Sequence, residues 1–273
     1  MIRLTGSQNP LIKEVRSLRN KSSRDEKGLC FIEGARFVEE VVKEYLKGAA
    51  DIKYIVVSDS FADTADKDAL TDPCVKRGVK VYHIPDALFE SISDTRNPQG
   101  ILAVMGIHKK HLRDAEVSGG LLVILDGIRD PGNMGTIIRT ADAAGCAGVI
   151  IPDGCVELFN PKVLRSTMGS VYHLPIWHCG SIQEAMSFCK ENGFSLYASH
   201  LEGAVSIYDA DLSDNTALII GSEADGISAE ALHHADVLVR IPMDGRAESL
   251  NASVAAGVMI FEAVRQRIAG KHS

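Results

Sequence analysis

Aromatic side chains are scarce in this sequence: one Trp, six Tyr and eight Phe among 273 residues. So few flat side chains argue against a protein that holds nucleic acid by serial base stacking. Long apolar runs are missing too. The longest candidate, residues 252–261, contains Ser253 and Gly257 and is followed by Glu262. It falls well short of the roughly 18–20 residues a bilayer-crossing helix requires, so no membrane partner is expected. The opening stretch MIRLTGSQNPLIKEVRSLRNK is basic throughout and has no uninterrupted apolar centre, unlike a secretory signal. The chain therefore reads as cytoplasmic. Its six cysteines form no CxxC pair, and His178-Cys179 would point to opposite faces of a strand. Buried free thiols in a reducing compartment are expected, and no metal. The GxGxxG and GK[ST] signatures of nucleotide sites are also absent.

Charge is present but unevenly placed. The chain carries a formal −7, yet its first 27 residues hold seven basic side chains against three acidic ones. Such an arm suits a phosphate backbone. Arg16, Arg19, Lys21 and Arg24 are its candidate RNA-binding residues.

Short apolar runs alternate with helical patterns on both sides of a polar stretch. In the first part the strand-like runs are 29–32, 52–57, 79–84 and 101–107. A helical pattern over 36–46 sets Phe37, Val38, Val41, Val42 and Tyr45 on one side. In the second part the runs are 121–125, 148–151, 194–199, 217–220 and 237–241. Their near-continuous Val, Leu and Ile content predicts strands covered on both faces, as in a parallel sheet. Helix starts are signalled by Asn160-Pro161, by Ser181 with Glu184, and by Ser228. An apolar final helix is expected from about Leu250 to Ile268. HKKHLRDAEVSG, before Gly120, reads as a linker. The fold class is thus α/β, with a smaller N-terminal domain over 1–108, a linker at 109–119 and a larger domain over 120–273.

Polar and glycine residues concentrate where strands end, which is where open α/β sheets bind ligands. The first such place, LDGIRDPGNMGTIIRTADAAG (125–145), enters a helix near Asn133 or Met134 and carries Arg139. Six residues separate Asn133 from Arg139, so the two do not share a helix face. The second, LIIGSEADGIS (218–228), is a turn whose Glu223 and Asp225 would repel phosphate and suit a ligand with a positive centre. The third is RIPMDGRAESLNASVAAG (240–257), where Ser249 and Asn251 stand before the last helix. Either could be a cap, but the loop holds more polar groups than a cap requires.

In order and spacing these three motifs closely resemble the SpoU (TrmH) family of RNA 2′-O-ribose methyltransferases, of the SPOUT superfamily. The resemblance is firm over 121–269. It extends to the N-terminal part, where NPLIKEVRSLR, FIEGARFVEE and TRNPQG resemble the family's substrate-binding domain of L30e/L7Ae type. It implies a parallel-sheet SPOUT domain with a trefoil knot, S-adenosylmethionine as cofactor, a homodimer and an RNA partner. By motif, Leu218, Ile220, Gly221, Ile241, Met243 and Leu250 would hold the cofactor, while Arg139, Asn133, Glu223, Ser249 and Asn251 would form the catalytic set. A guanidinium rarely gives up its proton, so Arg139 is expected to grip the adjacent phosphate and stabilise the developing alkoxide, not to act as base. The substrate implied is 23S ribosomal RNA; the alternatives are a tRNA ribose, or RNA binding without catalysis.

Overall fold

The computed structural model describes residues 2–201 and 205–270. The chain divides into two compact units: 1–108 together with 157–172, and 109–156 together with 173–273.

The first unit is built on five strands: β1 (Ile2–Arg3), β2 (Leu29–Glu33), β3 (Ile52–Ser58), β4 (Lys80–Ile84) and β5 (Ile101–Gly106). They lie in the order β1-β4-β3-β5-β2, with β5 antiparallel to both of its neighbours. Six helices punctuate the strands: α1 (Pro10–Ser17), α2 (Lys21–Lys27), α3 (Ala35–Lys47), α4 (Asp59–Ala62), α5 (Asp66–Val75) and α6 (Asp86–Ile92). Asn9 caps α1 by accepting from the Leu11 amide at 2.9 Å, and Pro10 opens it. The stretch expected to be a basic arm is therefore mostly helix. Its apolar residues Ile12, Val15 and Leu18 are buried against Phe31, Ile84, Phe89 and Leu102. As expected, α3 buries Phe37, Val38, Val41 and Val42.

The second unit carries eight strands: β6 (Lys110–His111), β7 (Leu121–Asp126), β8 (Gly148–Pro152), β9 (Ile176–Cys179), β10 (Ser195–Ser199), β11 (Val205–Ser206), β12 (Thr216–Gly221) and β13 (Val237–Arg240). All pairings are parallel, in the order β11-β13-β10-β12-β7-β8-β9-β6. Of its helices, α7 (Pro131–Ala143) follows β7. Next in the chain is α8 (Pro161–Thr167), which belongs to the first unit. Then come α9 (Ile182–Glu191), α10 (Ala229–His234) and α11 (Ala252–Gly270). The central strands β7, β8 and β12 are buried almost throughout, as their apolar runs require. The strands read from the sequence hold to within one residue at each end.

Two segments lie elsewhere than expected. The 109–119 stretch is not a free linker. Lys110–His111 pairs with β9, and Leu112 is buried with the core around Trp177 and Met186. Residues 157–172 group with the first unit, where α8 buries Val163 and Leu164 and packs on β2. All six cysteines are free. Burial pushes the thiols of Cys30, Cys146, Cys179 and Cys189 up to about 12, and those of Cys74 and Cys155 to about 11, so they stay protonated and unreactive.

Candidate active site

The sheet order of the second unit reverses at β7. One branch runs out through β8, the other through β12. A crevice opens at such a switch point beyond the carboxyl ends of the strands. There Asp126 ends β7 and Gly221 ends β12, and the two are register partners.

Three loops meet at this edge. After β7 the chain turns into α7, whose cap is Asp130: its Oδ1 accepts from the Asn133 amide at 2.8 Å, with Pro131 in the first turn. The helix thus starts two residues before Asn133. After β12 the segment 222–226 closes on itself, with Ser222 and Gly226 exchanging two backbone hydrogen bonds of 3.0 Å. Ser228 at its end donates its amide to Asp126 Oδ2 at 2.6 Å and caps α10. After β13 the chain reaches Asn251, whose Oδ1 accepts from the amides of Ser253 and Val254 and so caps α11.

One carboxylate oxygen joins all three. Glu223 Oε1 accepts from Asn133 Nδ2 at 2.7 Å, from Asn251 Nδ2 at 2.5 Å and from the Ala252 amide at 3.2 Å. Asn251 also donates to Asn133 Oδ1 at 2.9 Å. Charge-assisted bonds of this kind are about twice as strong as neutral ones. The oxygen therefore acts as a pin through residues that are up to 118 positions apart in sequence. Asn133 is 8% exposed, so losing its partner would strand a buried amide.

Beside the pin lies a cavity of about 620 Å³, within the range of small-molecule sites. Ile220, Ile241, Met243 and Leu250 give it apolar walls; Gly221, Glu223 and Ser249 also line it. Asp225 and Glu248 add two more carboxylates. Residues not foreseen from the motifs also line it, notably Ser199, His200 and Leu201 after β10. That strand was expected, but nothing in its sequence marked its end as part of the site. Leu218, by contrast, is fully buried within β12 and does not reach the cavity. Asn133, Asn251 and Arg139 are also outside the lining. Arg139 is exposed on α7 and makes no hydrogen bond or ion pair among the described residues. Nor does any group of three His, Cys, Asp or Glu side chains among the described residues suit a metal ion.

Residues 120–261 match the SpoU rRNA methylase family, and residues 9–103 match the MRM3-like substrate binding domain. The chain belongs to the SpoU rRNA methylase family. A curated relative from Bacillus subtilis, 23S rRNA (guanosine(2553)-2′-O)-methyltransferase RlmP, is 31% identical over 96% of this chain and 98% of its own. The 23S rRNA (guanosine-2′-O-)-methyltransferase RlmB of Xylella fastidiosa is 37% identical over 70% of this chain and 80% of its own. The solved structure of an AdoMet-bound rRNA methyltransferase from Sinorhizobium meliloti superposes with a TM-score of 0.86 at 34% identity, covering 96% of this chain and 97% of that one. This SpoU methylase is an RNA 2′-O-ribose methyltransferase by class, and S-adenosylmethionine is its methyl donor.

The cavity of the SpoU methylase fits that donor chemically. Apolar walls suit an adenine ring, and although Arg240 also lines the cavity and Arg129 pairs with Asp225, the carboxylates of Glu223, Asp225 and Glu248 outnumber the one lining cation and favour a sulfonium. Gly221 has a structural duty as well. A Cβ there would lie 2.3 Å from the backbone C and O of Gly226, so the turn closes only over glycine. Gly221→Ala should push that turn off β12 and lower S-adenosylmethionine affinity by at least about tenfold, or about 1.4 kcal/mol. Isothermal calorimetry checks this, and an affinity within twofold of wild type would contradict it.

Proposed function

We propose that this chain methylates a ribose 2′-hydroxyl of 23S ribosomal RNA. The observation that carries this reading is the Asn133–Glu223–Asn251 pin, which ties the starts of α7 and α11 to the 222–226 turn beside an apolar-walled cavity lined with carboxylates, beyond the carboxyl ends of β10, β12 and β13. A catalytic domain in decay would have no reason to keep such a junction. The rRNA target is supported by the RlmP relative, which is matched along nearly its whole length, and by the MRM3-like substrate-binding match.

When bound, S-adenosylmethionine would supply an electrophilic methyl group: the C–S pair would stay on sulfur as the 2′-oxygen bonds the methyl carbon, and the 2′-proton would pass to solvent water. The protein's own part is to hold and polarise. Glu223 fixes the loops, and with Asp225 and Glu248 it keeps the cavity negative. Ile220, Gly221, Ile241, Met243 and Leu250 hold the cofactor, with Leu218 supporting them from within β12. Ser249 and Arg139 face the RNA side. Arg139 grips the phosphate next to the target ribose and stabilises the alkoxide as it forms. With the donor positioned, proximity contributes much of the remaining acceleration.

The same reading includes the family's trefoil knot and a homodimer. Two observations support the dimer. Val254, Phe261 and Ile268 stand exposed at intervals of seven residues, a single apolar stripe along α11. Arg139 lies outside the cavity lining of its own chain, as it would if a second copy completed the site. Phe261→Glu should convert a dimer to a monomer in light scattering and abolish turnover with it. A monomeric wild type would end this part of the reading.

The function is tested by incubating the protein with methyl-labelled S-adenosylmethionine and either deproteinised 23S rRNA or tRNA. The label should enter 23S rRNA at a single alkali-resistant ribose. Label in tRNA alone, or none with either RNA, would overturn the proposal.

A further inference from the structure

Five cations of the first unit lie on the loop between α6 and β5 or on elements tied to it. Arg19 donates to the carbonyl oxygens of Ser91 and Ser93. Arg165, from α8, meets Asp94 with Nη1–Oδ2 at 3.3 Å. Arg96 lies in the loop itself. Arg36 is in the first turn of α3, where the neighbouring Ala35 amide donates to Gln99 Oε1 at 2.8 Å and ties that turn to the loop's far end. Lys162 precedes Arg165 by three residues and so shares its side of α8. Arg36, Arg96 and Lys162 are exposed, and their side chains make no ion pair or hydrogen bond among the described residues.

Glu33 and Asp94, the acids nearest them, are already committed. Glu33 Oε1 accepts from Ser93 Oγ at 2.5 Å and Thr95 Oγ1 at 2.6 Å, and its Oε2 accepts from the Asp94 amide at 3.0 Å. Asp94 is the partner of Arg165. Asp86 and Glu90 line a small pocket with Arg96 and mark the edge of the patch. A single exposed cation on a chain of net charge −7 is ordinary. Three unpaired ones, Arg96 on a braced loop and Arg36 and Lys162 on the helices tied to it, gain most when a polyanion arrives.

The origin of α8 adds a second observation. Residues 157–172 fall within the stretch that matches the SpoU methylase, yet they belong to the first unit. There Glu157 is buried in an ion pair with Arg24, and Val163 and Leu164 are fully buried. We propose that the loop 93–97, Arg19, Arg36 and the α8 cations Lys162 and Arg165 form one surface that grips the phosphodiester backbone of the RNA substrate. The substrate-binding surface is then encoded in two separated pieces of the chain, the second lying within the methylase sequence. This inference rests on the RNA-methylating function proposed above. Contacts of this kind set the register of the RNA without reading its sequence.

The test uses the full-length double variant R96E/K162E, because neither side chain holds the fold together. Binding to deproteinised 23S rRNA is measured across a salt series. Affinity should drop at least tenfold, and the log–log salt slope should lose about 0.7–0.9 for each phosphate contact removed. KM for RNA should rise while kcat at saturating RNA and S-adenosylmethionine affinity stay unchanged. Lys76→Glu is the control. Its neighbour Arg77 bonds the carbonyls of Tyr45 and Leu46 near the far end of α3, about 15 Å along that helix from Arg36. It should bind as wild type. A double variant with wild-type affinity and slope, in a preparation whose wild type binds and methylates, overturns the surface alone. A wild type that neither binds nor methylates 23S rRNA overturns the surface and the proposed function together.

Discussion

Arg139→Ala should reduce methyl transfer at least about a hundredfold at saturating substrates and leave S-adenosylmethionine affinity within about twofold of wild type. The second half follows from the position of the side chain, the first from the role proposed for it. Arg139 is exposed, makes no hydrogen bond or ion pair among the described residues and lies outside the cavity lining. Truncating it therefore removes no support from the fold and none from the cofactor. In the proposed mechanism it removes a fixed positive charge at the developing alkoxide, and losing one such donor costs about 10²–10³ in other active sites. Arg139→Lys keeps the charge but loses the two-pronged grip on a phosphate, so it should fall between the two. An alanine variant keeping more than about a tenth of the rate would remove Arg139 from the mechanism. Mixing subunits asks where the arginine acts. If each site borrows Arg139 from the other copy, combining R139A with G221A creates heterodimers with one intact site, and activity returns. If each chain uses its own arginine, the mixture, assayed at S-adenosylmethionine too dilute to load G221A, shows no gain over its parts.

The parallel sheet could be read because its signal is local. Strands buried on both faces must be continuously apolar, and β7, β8 and β12 are. Helix starts were equally readable at Asn160-Pro161 and Ser181, where cap and first turn are adjacent in sequence. The same Asn-Pro signal begins α1, where Ile12, Val15 and Leu18 are interspersed with basic residues whose density masks the apolar face. At the site, the three motifs located Asn133, Glu223 and Asn251 but gave no hint that a single carboxylate oxygen holds the two amides. That contact depends on where β7 and β12 end relative to one another, which only the folded register fixes. Residues 157–172 were misplaced for a similar reason. Their apolar spacing says that α8 has a buried side without saying against which sheet. Among the four RNA-binding candidates, Arg16 and Arg19 bond Ser91, Ser93 or both, and Lys21 pairs with Asp25 at 2.6 Å. Arg24 is not a surface residue at all.

Arg24 provides the largest stability prediction. It is 2% exposed; its guanidinium meets both carboxylate oxygens of Glu157 and donates to the carbonyls of Leu18 and Arg19 at 2.8 and 2.9 Å. Leu18 is the C-cap of α1, so the cation also satisfies carbonyls at a helix C-terminus, where positive charge is favoured. Arg24→Met leaves the largely buried Glu157 without its ion-pair partner and those carbonyls without a donor. Breaking a buried pair from one side costs about 3–5 kcal/mol, whereas replacing both partners with apolar groups is often neutral. R24M/E157L should therefore recover much of the loss but not all of it, because the Leu18 and Arg19 carbonyls stay unpaired in the double variant. Two units need not unfold in one step, so the informative measurement is hydrogen exchange of the β2 and β5 amides under increasing urea. Their opening should shift to lower urea in R24M, and amides of β7 and β12 should exchange as in wild type. The loss should also reach function by a defined route. Glu157 begins the segment that carries α8, so R24M should weaken 23S rRNA binding through Lys162 and Arg165 without changing S-adenosylmethionine affinity. If R24M costs under about 1 kcal/mol in β2 and β5, the pair does not anchor that segment, and α8 must be held by Val163 and Leu164 alone.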